Sequence, residues 1–148
     1  MPSIAVFTDG GSRGNPGAAA TGFLVYEENG TLLHSAGRYI GTGTNNEAEY
    51  QAVLDAMAWL SQPENQEKLK KMEIVEVVWQ LDSKLVVEQV NKKWKIKEPR
   101  LGEFAKRIWA AMSLLPQSCV FIHIRRELNA AADALVNEAL DAQEAAEK

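Results

Sequence analysis

At 148 residues, with 46% hydrophobic and 24% charged positions, the chain has the size and composition of one domain with a substantial core, which excludes disorder. Its net charge of −4 gives no overall bias toward nucleic acid, so any such binding must be local. No apolar run reaches the roughly 18 residues of a membrane span, and the start MPSIAVFTDG has neither a basic segment nor a cleavable apolar core. The expectation is a cytoplasmic monomer without membrane contact, a single domain over residues 1–148 with an acidic helical tail at about 141–148.

The lone cysteine, Cys119, excludes an internal disulfide and a cysteine-ligated metal cluster. It sits in Cys119-Val120-Phe121-Ile122 and reads as a small buried hydrophobe.

In chain order, Ile4-Ala5-Val6-Phe7 is a short apolar run ending on Thr8-Asp9, after which Gly10, Gly11, Gly14 and Pro16 signal a tight loop. The run reads as a central strand delivering the Asp9 carboxylate to its carboxyl end, where open α/β sheets place their sites. Thr21 to Glu28 is rich in β-formers, Asn29-Gly30 is a strong hairpin signal, and Thr31 to Ile40 returns as the partner strand. Three antiparallel strands follow from this. His34 reads as a strand residue rather than a ligand, since no second His or Cys lies near it.

From Glu47 the period changes. Ala48, Ala52, Met57 and Leu60 fit an amphipathic helix capped by Asn45 or Asn46, with Glu47 and Glu49 in its first turn. It ends near Ser61-Gln62-Pro63, and Glu64 to Lys71 reads as a solvated connector. Ile74 to Leu81 is a second buried strand ending on an aspartate, Asp82. Lys84 to Val90 reads as a short helix, Leu101 to Leu115 as a longer one, Cys119 to Ile124 as the last strand, and Asn129 to Ala142 as a helix capped by Asn129. Trp109 falls on the apolar stripe of its helix and reads as core. Strands and helices in this order predict an α/β fold with a mixed sheet flanked by helices.

Between Lys92 and Arg100 lie five basic residues with Trp94 among them, whereas the last eleven residues carry four acids and one lysine. The basic stretch is a candidate local face for nucleic acid, with lysines on phosphates and Trp94 on sugar or base.

Asp9 and Asp82 end strands; Glu49 and Asp133 sit in first helical turns. If the two strands are parallel neighbours, their carboxylates meet at one edge, and acids so gathered repel one another unless a cation neutralises them. An all-oxygen ligand set without Cys or His suits Mg2+ or Mn2+. Two such ions roughly 3.5–4 Å apart clamp the attacking and leaving oxygens of a phosphodiester. Each acid also has an ordinary structural role to offer: Asp82 could cap the helix after it, and Glu49 and Asp133 could complement helix dipoles. Asp9, followed by Gly10-Gly11, has no cap to make.

Four stretches carry a family resemblance: Thr8-Asp9-Gly10-Gly11-Ser12-Arg13-Gly14-Asn15-Pro16-Gly17, Thr44-Asn45-Asn46-Glu47-Ala48-Glu49-Tyr50, Leu81-Asp82-Ser83-Lys84-Leu85-Val86 and Asn129-Ala130-Ala131-Ala132-Asp133-Ala134-Leu135. In this order they resemble the four motifs of type 1 ribonuclease H, over about Ser3 to Leu140. The resemblance implies the ribonuclease H-like fold, a five-stranded mixed sheet with its first three strands antiparallel. It also implies metal-dependent endonucleolytic hydrolysis of the RNA strand of RNA/DNA hybrids, leaving 5′-phosphate and 3′-hydroxyl ends. By position, Asp9, Glu49, Asp82 and Asp133 match the catalytic and metal-binding acids, serving two Mg2+ with Mn2+ able to substitute. In the family pattern Asp9 bridges both ions, Glu49 and Asp82 serve the one that activates water, and Asp133 serves the leaving-group side. Gly10, Gly11, Ser12, Asn15 and Asn46 match positions that contact the minor groove and RNA 2′-hydroxyls, and Thr44, with Arg13 as a further candidate, a position that helps hold a DNA phosphate. Lys84, Lys93 and Trp94, on and beside the basic stretch, are the further candidate substrate contacts.

Two departures stand out. The family's loop histidine before the last motif is replaced by Arg125-Arg126-Glu127-Leu128, as in the subgroup that lacks it, and Arg126 or Glu127 is the candidate to assist. The long basic protrusion of some relatives shrinks to Asn91–Arg100. An acidic 3′–5′ exonuclease would carry Asp-x-Glu in its first motif, where Gly11 stands two residues after Asp9. Two alternatives stay open: a weak or inactive hybrid-binding module, and a nuclease that also cleaves double-stranded RNA.

Overall fold

The computed structural model describes residues 2–148. Five strands form one mixed sheet in the order β3-β2-β1-β4-β5. β1 (Ser3–Gly14), β2 (Gly17–Glu27) and β3 (Leu32–Gly43) are an antiparallel meander; β4 (Glu76–Leu81) joins β1 in parallel, and β5 (Ser118–His123) joins β4 in parallel. The expected mixed sheet is thus present, with β1 at its centre.

One expectation fails at β1. The glycine-rich stretch is not a loop: the strand continues through Gly10, Gly11 and Ser12, pairing residue by residue with β2 as far as Gly14 opposite Gly17. The turn proper is only Asn15-Pro16, and Gly14 supplies the positive φ of 95° it requires. The glycines serve close approach, as glycines after a strand also allow. A Cβ on Gly10 would lie 2.2 Å from the Ala48 carbonyl of the first helix, so only glycine lets that helix reach the strand.

That helix, α1 (Asn45–Ser61), buries Ala48, Ala52, Val53, Ala56, Met57 and Leu60 against the sheet. Its cap is Thr44, not Asn45 or Asn46: the Thr44 hydroxyl accepts the Glu47 N–H at 3.1 Å, and Glu47 Oε1 accepts the Thr44 N–H at 2.9 Å. The expected solvated connector is a helix, α2 (Pro63–Lys71), started by Pro63 at its first position and held by buried Leu69 and Asn65. α3 (Lys84–Val90) and α4 (Pro99–Leu114) follow, then β5, a short 3₁₀ turn over Arg126–Asn129, and α5 (Ala130–Ala146).

The main core lies between the sheet and α1, α3 and α4. Trp79, Tyr50, Ile4, Met57, Leu60, Leu69, Leu81 and Ile108 are fully buried there. Each such side chain contributes about 1.5–3 kcal/mol by burial. Trp79 stacks on Phe121 with ring centroids 5.1 Å apart, and the Tyr50 hydroxyl donates to Gln89 Oε1 at 2.6 Å, pinning α1 to α3. α5 packs on the opposite face, over β2 and β3, around Ala20, Val136 and Leu140. Cys119 is half-buried beside this core, and Trp109 packs on it while donating its indole N–H to the Val90 carbonyl at 2.9 Å. No helix among the described residues is long and apolar enough to cross a membrane.

Candidate active site

The parallel pairing of β1 and β4 decides the site. Thr8 lies opposite Leu81, so the next residues on each strand, Asp9 and Asp82, emerge side by side at the carboxyl edge. α1 adds Glu49, just past its first turn, where Glu47 is the acid: one carboxylate oxygen from each of Asp9, Glu49 and Asp82 lies within 4.8 Å of the others. Glu49 is held in place by the Gly10 backbone N–H, which donates to its Oε1 in a short hydrogen bond. Asp82 makes no helix cap, because the Ser83 hydroxyl takes that role by accepting the Val86 N–H at 3.3 Å. Asp133, in the first turn of α5, lines the same cleft from the other side and is exposed.

The three gathered acids are electrostatically uncomfortable. Burial pushes the Asp9 carboxyl up to about 7, and the charges of Asp82 and Asp133 push the same way. Glu49 is raised well above the usual carboxylate range, first by burial and then by Asp9. Asp82 is also raised by burial, against the pull of Arg126, Asn129 and His123. Carboxylates that resist ionisation together form the donor set that a hard divalent cation relieves, and no Cys or His competes among them. The residues therefore fit such a cation.

The other predicted contacts divide into two groups. Gly10, Gly11, Ser12 and Asn46 line the acid cleft. Asn15 stands at the hairpin turn, where its Oδ1 accepts the Asn45 N–H at 3.0 Å, and Thr44 is occupied as the helix cap. Lys93 and Trp94 are not in the cleft; they line a separate groove with Lys92, Lys95, Lys106 and Trp109. Lys84 joins the two regions. It follows Asp82 by two residues and carries its ammonium 5.9 Å from the centroid of the Trp94 ring, which is 44% exposed.

Arg13 lines the cleft as well, with its guanidinium in ion pairs with Asp141 at 2.8 Å and Glu144 at 2.6 Å on α5. Of the two loop candidates, Arg126 lines the acid cleft and Glu127 does not.

Sequence reasoning gave Asn129 and Asn45 the wrong role and left His123 without one. Asn129 does not cap α5; its buried amide donates to the Thr8 carbonyl at 2.8 Å, tying the last loop to β1 beside Asp9. Asn45 clamps the hairpin, its Oδ1 accepting the Ser12 N–H at 2.9 Å. His123 lies opposite Leu81 on β5, close enough to act on Asp82. Its only sequence signal was its place two residues before the last loop.

A family model described as reverse transcriptase-like matches residues 7–139. The ribonuclease H1 called LC11, isolated from compost by a metagenomic approach, is 44% identical with a TM-score of 0.87, covering 97% of this chain and 99% of its own. The chain belongs to the ribonuclease HI family. Ribonuclease H1 of Halobacterium salinarum superimposes with a TM-score of 0.79 at 32% identity, over 94% of this chain and 98% of the solved one. The N-terminal ribonuclease H domain of a bifunctional protein from Mycobacterium tuberculosis does so with a TM-score of 0.82 at 32% identity, over the whole of both chains. The curated relatives are longer: this chain spans 36% of the mycobacterial protein and 64% of the halobacterial ribonuclease HI. The fold that the four motifs implied is the fold of this family, and members of the family work with divalent metal ions.

Proposed function

We propose that this chain is an endoribonuclease that hydrolyses the RNA strand of RNA/DNA hybrids, with Asp9, Glu49, Asp82 and Asp133 as its catalytic, cation-holding acids. The observation that carries the reading is the meeting of Asp9, Glu49 and Asp82 within 4.8 Å, in a form that resists simultaneous ionisation. The ribonuclease H1 LC11 has been solved in complex with an RNA/DNA hybrid, and its fold matches this chain with a TM-score of 0.86.

Mg2+ suits the four acids best, with Mn2+ substituting, and the chemistry such cations supply at this kind of site is activation of water and neutralisation of phosphodiester charge. The protein does the rest. Gly10 fixes the Glu49 carboxylate through its N–H, and Asn129 fixes the strand end that carries Asp9. Gly10, Gly11 and Ser12 form an extended edge with little side-chain bulk, and with Asn15 and Asn46 it suits a wide, shallow minor groove bearing 2′-hydroxyls. Arg126 places a fixed positive charge beside Asp82, where a phosphate oxygen would approach. Lys84, Lys93 and Trp94 extend the surface away from the cleft and suit the DNA backbone of the hybrid.

The test is a substrate panel with Mg2+ or Mn2+: an RNA/DNA hybrid, single-stranded RNA, double-stranded RNA and duplex DNA, with analysis of product ends. Internal cuts in the RNA of the hybrid, leaving 5′-phosphate and 3′-hydroxyl ends, are expected. Tight hybrid binding without cleavage would make the protein a binding module instead.

A further inference from the structure

Asp133 differs from the other three acids. It is exposed, it lies outside the group that meets within 4.8 Å, and among the described residues no backbone N–H holds its carboxylate. Apart from the Asp9 carboxyl that it meets, one side chain does. Asn137, one turn further along α5, donates its amide Nδ2 to Asp133 Oδ2 at 3.3 Å and to the Asp133 carbonyl at 3.2 Å.

An asparagine amide has a donor end and an acceptor end, and nothing in its shape decides which faces a neighbour. Here Arg13 decides it. The guanidinium has only donors, and its Nη2 reaches Asn137 Oδ1 at 3.3 Å, so the NH2 end must face Asp133. Arg13 is in turn fixed by Asp141 and Glu144, at 2.8 and 2.6 Å. Asp133, Asn137, Asp141 and Glu144 fall at helical spacing on one face of α5, and Arg13 comes from the tip of the β1–β2 hairpin that carries Gly10, Gly11 and Ser12.

We infer that Asn137 and Arg13 are positioning residues: Arg13 orients the Asn137 amide, Asn137 holds the Asp133 carboxylate, and the acidic end of α5 serves to anchor Arg13 rather than leave it for phosphate. The relay ties the placement of the fourth acid to the hairpin edge that faces substrate.

The test uses the full chain and four forms: wild type, Asn137→Ala, Arg13→Ala and the double variant, each checked for folding by circular dichroism. Two readouts are taken: calorimetric titration of EDTA-stripped protein with Mn2+ alone, and steady-state cleavage of a labelled RNA/DNA hybrid. Asn137→Ala is expected to weaken Mn2+ binding and lower kcat by about tenfold each. The KM for hybrid should stay within about twofold, since the relay acts on the acid and not on binding. Arg13→Ala should lose less, and the double variant should be no worse than Asn137→Ala, because Arg13 acts only through the amide. Both residues are exposed, and if Asn137→Ala does not fold, a loss of Mn2+ affinity in Arg13→Ala judges the relay alone. Unchanged Mn2+ affinity and kcat in Asn137→Ala, or losses that multiply in the double variant, overturn the inference. The kinetic arm rests on the hybrid-cleaving reading; the Mn2+ arm does not, so wild type that binds Mn2+ but cleaves no hybrid would sink that reading while still judging the relay.

Discussion

Asp9 and Gly22 face one another across the β1–β2 ladder, and the bare Cα of Gly22 is what lets α5 settle over the sheet with Asp133 at its start. A Cβ on Gly22 would lie 2.7 Å from the Ala132 carbonyl and 2.8 Å from the Leu135 Cβ. Gly22→Ala must therefore push α5 away, costing about 1–3 kcal/mol as overpacking does. Denaturant unfolding should show that loss, and hybrid cleavage should fall beyond it because Asp133 moves with the helix. A variant with wild-type stability would show that α5 has slack this packing denies.

The crowding of Asp9 and Glu49 makes a prediction about pH. Asp9 is raised from an ordinary 3.8 to about 7, so between those values the folded protein holds a proton the unfolded chain has released. In protein freed of divalent ions, stability is then greatest at the acid end of this window and falls as pH rises through it, by about 1.4 kcal/mol per pH unit for one whole proton. Glu49, raised in the same sense, adds to the slope. Unfolding in EDTA from about pH 5 to about pH 8 measures it. Asp9→Asn should flatten the profile and stabilise the ion-free protein at the alkaline end. A profile flat or rising in wild type would contradict the crowded-acid account.

Asn129 is buried and spends its amide on the Thr8 carbonyl. Asn129→Ala leaves that carbonyl unpaired beside Asp9, at a cost of about 1–3 kcal/mol. Because the carbonyl belongs to the strand end, thermal stability and cleavage should fall together. Asn129→Asp, which offers an acceptor to an acceptor, should be worse than alanine. Equal stability in the two variants would count against a hydrogen bond to Thr8 as the source.

Most of the site was legible because its geometry is written in local chemistry. Asp9 and Asp82 end runs of β-formers, and a parallel pairing of those runs brings their ends together without further information. The glycine run was misread as a loop because glycine signals turns in isolation, while at Gly10 it answers to a helix nearly forty residues away. α2 was missed because only Leu69 and Asn65 of its nine residues are buried, too few to show a period. Asn129 looked like a helix cap, and nothing in sequence says that its side chain turns back to β1. Asn137 and Arg13 look like solvated residues until α5 and the hairpin are seen together.

The basic groove offers a test of its own. Lys92, Lys93 and Lys95 are exposed beside Trp94, and Lys92 also sits 4.8 Å over the Trp109 ring. If they meet the hybrid backbone, replacing all three with alanine should weaken binding, and the slope of log affinity against log salt should shrink by about 0.9 for each phosphate no longer neutralised. A slope equal to wild type would leave Trp94 and its lysines as a solvated loop.

The most direct measurement is cleavage of a labelled RNA/DNA hybrid by wild type and by Asp9→Asn, each with Mg2+ and with EDTA. Metal-dependent internal cuts by wild type, abolished in Asp9→Asn while the variant still folds and binds hybrid, are what the gathered acids predict. Cleavage that persists in Asp9→Asn, or in EDTA, would contradict an account in which these carboxylates and their cations do the chemistry.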